Sequence, residues 1–246
     1  MSQIVDTETA REFMKETLEQ IEEKHLVKIS EALAVKSEMF KQWFEQSNID
    51  KLSEEDLLKI LDYIFSIRRS AKKILKEVGV PEIKKAIEEL LYGNDSVHIR
   101  FQNFCEKMEC LPEHLRFDFA GELLHYVFPN KHWMWCHWMW NPKLKTGSLP
   151  LVTTEDFDLS SPTLGESYLK VGKAIAFVHE VGEAAGFQTI SRSLFGTDVY
   201  LSCVYVIYAY TVLRMRMTQE FNQVMPNVAE FSSRILGVYQ IRANQN

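Results

Sequence analysis

The chain has 246 residues, of which 46% are hydrophobic and 25% charged, and a net charge of −6. This is an ordinary globular composition with enough apolar material for one large core or two smaller ones, and it argues against disorder. The acidic balance shows no broad basic face of the kind nucleic-acid binding requires.

The opening residues carry acids and lysines throughout, which is not the pattern of a signal peptide. No apolar run reaches the roughly eighteen residues needed to span a bilayer. The longest, 199–213, is interrupted by Ser202, Cys203 and Thr211, so it reads as a buried core helix. The four cysteines, Cys105, Cys110, Cys136 and Cys203, form no Cys-x-x-Cys pair. They are expected as reduced thiols in a cytoplasmic protein.

In chain order, Asp6 or Thr7 opens an amphipathic pattern through Phe13, Met14, Leu18 and Ile21, and a second runs through Ile29, Leu33, Met39, Trp43 and Phe44. Both predict helices. Ser53 with Asp56 three residues on is an acidic capping box. The face Leu57, Ile60, Leu61, Ile64, Ile67, Ala71, Ile74, Leu75 and Val78 then predicts one long helix ending at Gly79. Pro81 suits the first turn of a helix ending near Gly93, and Asp95 is expected to cap another over 97–108. Pro112 opens a helix that Pro129 stops. Further helices are expected over 164–185, from Thr197 to about Gln223, and after Pro226.

Thr146-Gly147 between extended-looking residues suggests one small hairpin over 143–153. The expected class is all-α, an irregular multi-helix bundle. A boundary near Gly93 is expected to divide it into an N-terminal helical part, 1–93, and a C-terminal one, 94–246, with a single domain as the alternative.

Residues 132–140 read His132-Trp133-Met134-Trp135-Cys136-His137-Trp138-Met139-Trp140 and hold four of the five tryptophans. Indoles want a partner for their N–H and are seldom fully buried, so this segment is a candidate stacking surface or protein anchor. A packed plug between helical layers is the alternative. Trp133 and Trp135 are two apart, as are Trp138 and Trp140, which fits no single burial period. At least two indoles are therefore expected on an accessible surface.

A sharper possibility is metal binding by Glu122, His125, His132 and Cys136. On a helix Glu122 and His125 share a face, as do His132 and Cys136, and imidazole with thiolate suits zinc or a similar ion. Two related pairs, Glu22 with His25 and His179 with Glu183, lack the additional ligands such motifs need. Arg68, Arg69, Lys72, Lys73, Lys76, Lys84 and Lys85 offer phosphates a docking edge around Gly79, although Glu77 and Glu82 are interleaved. Arg214 and Arg216 close a helix rich in tyrosine (Tyr200, Tyr205, Tyr208, Tyr210) and can hold an anionic ligand. Gly-x-Ser-x-Gly, Walker A and Rossmann fingerprints are absent.

Val78-Gly79-Val80-Pro81 ahead of Lys84-Lys85-Ala86-Ile87 resembles the hairpin of helix-hairpin-helix DNA glycosylases. Leu123 to Trp135 resembles the helix and turn before that family's catalytic aspartate. The resemblance implies base flipping into an aromatic pocket. These fragments cover under a fifth of the chain. No aspartate follows Trp135 and the hairpin lacks its second glycine, so the chain is not assigned to the family.

Three functions follow in order of expectation. The first is a non-enzymatic interaction protein, an accessory subunit or adaptor presenting residues 132–140 to a protein partner. The second is a metal- or small-molecule-binding enzyme using Glu122, His125, His132, Cys136 and His137. The third is a protein that binds nucleic-acid bases.

Overall fold

The computed structural model describes residues 4–184, 193–216 and 226–243. It is 69% helical, with thirteen helices and no strands among those residues. The all-α expectation holds, and a side-chain cap or an early proline marks several of the element starts. Helix α1 (Thr7–Gln20) begins where the Asp6 side chain accepts from the Glu8 and Thr9 amides. It is followed by α2 (Glu23–Trp43) and the single turn α3 (Gln46–Ile49). The Ser53–Asp56 capping box opens α4 (Glu54–Asp62), satisfying amides that the first turn leaves unpaired.

The long helix expected from Ser53 to Val78 is broken. α4 stops at Tyr63, a 3₁₀ turn covers Arg68–Ser70, and α5 (Ala71–Glu77) resumes. Between them Ile64, Ile67 and Ser70 donate to carbonyls only three residues back, so the chain tightens and turns. The apolar face survives the break, because Ile64 and Ile67 stay fully buried. Hydrophobic spacing reports which side chains are inside, not whether the backbone between them is continuous. The break also lets Gly237, at φ +70°, lie so close to the Tyr63 carbonyl that a Cβ would strike it.

Gly79, at φ +88°, turns the chain into α6 (Val80–Tyr92), with Pro81 in its first turn. α7 (Val97–Lys107) has Ser96 rather than Asp95 at its cap. Next comes α8 (Glu113–Val127), the centre of the molecule, buried without interruption from Phe117 to Val127. Helices α2, α6 and α7 pack against it.

Beyond a turn at Phe128–Lys131 the chain becomes a strap without helix from His132 to Ser148. The expected hairpin shrinks to one bridge, Asn141 with Thr146. Lys145 (φ 52°) and Gly147 (φ 142°) make that turn, and 149–152 is the helical turn α9 (Leu149–Val152). α10 (Leu164–Ala184) packs along α7. α11 (Gly196–Arg216) meets α1, α2 and α10, and also α12 (Val228–Ile235). The short α13 (Tyr239–Ala243) returns to α2. One continuous apolar cluster includes residues from both sides of Gly93, so the division expected there does not separate two cores. Among the described residues no helix is long and apolar enough to cross a membrane.

Candidate functional site

An α-helix surrounded by protein is normally apolar all round. α8 is not, because Asp118, Glu122 and His125 fall four and three residues apart and form a polar stripe within its buried stretch. Each has an oppositely charged or chargeable partner from elsewhere. Burying such groups is costly unless they are paired and hydrogen-bonded, and these are.

Glu122 Oε2 accepts from Lys36 Nζ at 2.7 Å, with the two side chains 3% and 0% exposed. Lys36 also donates to the Leu236 carbonyl at 2.9 Å and lies 4.2 Å above the Tyr126 ring. Burial raises the Glu122 carboxyl to about 6, against the lowering effect of Lys36. His125 sits between the His132 carbonyl, 2.8 Å from Nδ1, and Asp198 Oδ2, 2.9 Å from Nε2. Burial works against its imidazolium, but Asp198, the His132 carbonyl and Glu122 together outweigh it and the pKa rises. Among the described residues the second Asp198 oxygen has no hydrogen-bond partner.

The third pair reaches the surface. Asp118 is buried and holds His137 twice, accepting the backbone N–H on Oδ1 at 2.6 Å and approaching Nδ1 through Oδ2 at 2.5 Å. The His137 side chain is 32% exposed, and among the described residues its Nε2 has no hydrogen-bond partner. The His114 ring stands edge-on at 5.3 Å between centroids. Burial lowers the His114 pKa and the neighbouring His137 lowers it further. For His137 burial is again unfavourable, yet the Asp118 hydrogen bond and charge prevail and its pKa rises. Two adjacent imidazoles are thus displaced in opposite directions.

The metal expectation fails for physical reasons. Among the described residues no three His, Cys, Asp or Glu side chains are arranged to hold an ion. An ammonium occupies Glu122, and both His125 nitrogens are engaged. Since 132–136 is not helical, His132 and Cys136 share no helix face, and His132 meets His125 through its carbonyl. Burial and then Arg100 push the His132 imidazole down to about 4. Cys136 lies 4.0 Å from Glu122 Oε1, and burial with the Asp118 and Glu122 charges keeps its thiol protonated.

The tryptophans are largely inside. In the strap Trp135, Trp138 and Trp140 are 0%, 3% and 5% exposed, and Trp133 is half-buried. The strap runs between helical layers, so both of its sides meet protein. Trp135 stacks on Phe117 at 4.2 Å and Phe101 at 5.7 Å, and its N–H donates to the Trp140 carbonyl. Trp138 meets Tyr205 and Trp133 meets His179. Gly121 allows the crossing, since a Cβ there would collide with the Trp135 carbonyl. The expectation of two accessible indoles is therefore not met.

Other candidates disperse. Glu22 pairs with Lys24 on the surface, and His179 Nδ1 lies 2.8 Å from Thr197 Oγ1. In the basic cluster, Lys84 donates to the Leu52 carbonyl and Lys73 to that of Cys110. The side chains of Glu183, Arg214 and Arg216 lie outside the described residues. Spacing missed Lys36, His114, Asp118 and Asp198. Lys36 carried a signal: it follows Ile29 and Leu33 and precedes Phe40 on the buried face of α2, a position where a charge needs a partner.

All four cysteines are free. Cys105, Cys136 and Cys203 are buried, and Cys110 is half-buried. An aromatic disulfide reagent is expected to label Cys110 first and the others only as the protein opens, reaching four thiols in denaturant without reductant. Simultaneous rapid labelling of several thiols, or fewer than four in total, would contradict this arrangement. No family, curated protein or solved structure matches the chain.

Proposed function

We propose that the protein is a small-molecule enzyme whose chemistry is general acid–base catalysis by His137 and His114. The observation that carries the reading is the Asp118–His137 pair. A buried carboxylate fixes the imidazole through both its ring and its backbone and leaves Nε2 directed away from that partner. This is the arrangement an acid–base histidine needs, because the carboxylate selects the tautomer and stabilises the imidazolium.

The opposed displacement of the two rings supports the same division of labour. Between the two pKa values His137 is protonated and can donate, while His114 is neutral and can accept. Lys143, exposed on the neighbouring turn, disfavours a charged His114 and would favour an anionic substrate. Glu122, His125 and Cys136 serve behind this surface as the buried support that holds the strap in place.

Hydrolysis of p-nitrophenyl acetate and bis-p-nitrophenyl phosphate tests the reading. Turnover above buffer is expected with a bell-shaped pH profile. His137→Gln and His114→Gln should each lower kcat/KM by about 100-fold or more, with unchanged circular dichroism. No turnover of either ester, or variants as active as the parent, would defeat it.

A further inference from the structure

A cleft of about 280 Å³ lies where the end of α4 and the 3₁₀ turn meet α12 and α13. Asp62, Phe65 and Arg68 line one side, and Arg234, Tyr239 and Gln240 line the other. The two walls are locked together at Gly237, whose backbone approaches the Tyr63 carbonyl too closely for any side chain. The volume falls just below the range of common small-ligand sites, about 300–1,000 Å³. This cleft involves none of the residues assigned to acid–base chemistry.

Its chemistry is specific. The Arg68 guanidinium lies 4.8 Å over the Phe65 ring, and the Arg234 guanidinium lies 4.8 Å over the Tyr239 ring. Each aromatic ring supports its cation and limits the freedom it would lose on binding. Arg234 gives one nitrogen to Glu230 at 2.6 Å. Among the described residues Arg68 has no carboxylate partner. Two guanidinium groups on opposite walls of one cleft suit a multivalent oxyanion, which can receive N–H donors from both. Asp62 would repel a bare anion but accepts hydrogen bonds from hydroxyls, and Gln240 can do either. The complementary ligand therefore carries both a phosphate and hydroxyls.

We propose that this cleft binds a phosphomonoester of a hydroxylated group, supplied either as a sugar phosphate or as a mononucleotide. Isothermal titration with ribose 5-phosphate, adenosine 5′-monophosphate and ribose tests it on the intact chain. At least one of the two phosphates should bind saturably, and ribose should bind at least about tenfold more weakly than that phosphate. Which phosphate binds more tightly identifies the source. Arg68→Ala and Arg234→Ala should each weaken binding by about tenfold or more, with the far-UV spectrum unchanged. The proposal is overturned if neither phosphate binds by about 10 mM, if ribose binds as well as the phosphates, or if both arginine variants bind like the parent.

Discussion

Replacing Lys36 by methionine should lower the unfolding free energy by about 3–5 kcal/mol at pH 8. The loss comes less from the missing attraction than from what remains, a carboxylate in the core without its cation. Such a group can escape by protonation, and burial already raises Glu122 to about 6 with Lys36 beside it. Without Lys36 its folded-state pKa rises further above the unfolded one. A raised carboxyl pKa favours folding at low pH, and that advantage is lost as pH rises through the folded value. The Lys36→Met penalty should therefore be smaller at pH 5 than at pH 8. Adding Glu122→Leu removes the stranded charge and should recover most of the loss. Urea unfolding of the single and double variants at both pH values checks this. A penalty below about 1 kcal/mol, or one independent of pH, would mean the pair does not form.

Trp135→Ala should be comparably severe, costing about 3–5 kcal/mol. Its indole is fully buried and stacked on Phe117 and Phe101, and its N–H is satisfied within the strap. Truncation removes stacking as well as burial and leaves the Trp140 carbonyl without that donor. Trp133, half-buried against His179, should tolerate phenylalanine with a loss of about 1 kcal/mol or less. Thermal unfolding of the two variants gives the comparison. Equal, small effects would remove the strap from the core.

Most helices were legible in the sequence because their signals are local. Asp6, Ser53 and Pro81 mark starts by hydrogen-bonding or backbone rules that operate within one turn. The break after α4 was hidden because its apolar stripe continues through Ile64 and Ile67 across a change of hydrogen-bonding pattern. The strap was misread because two burial periods were tested against a single core, whereas the segment lies between layers and buries both sides.

The site was partly visible. Glu122, His125, His132, Cys136 and His137 are the cluster the sequence singles out, but the charged partners of Glu122 and His125 come from far along the chain. Lys36 is 86 positions from Glu122, and Asp198 is 73 from His125. No spacing rule spans those separations. That is why a polar stripe of acid–base pairs first looked like a set of metal ligands.

The proposed acid–base chemistry requires Asp118 to hold His137 protonated beside a neutral His114. Heteronuclear NMR titration of the two imidazoles, in the parent and in Asp118→Asn, measures that directly. The parent should show His137 titrating above the ordinary imidazole value and His114 below it. In Asp118→Asn, His137 should move down, since the charge that outweighs its burial is gone. Titration of both rings at one ordinary value in the parent, or a His137 midpoint indifferent to the loss of Asp118, would contradict the account.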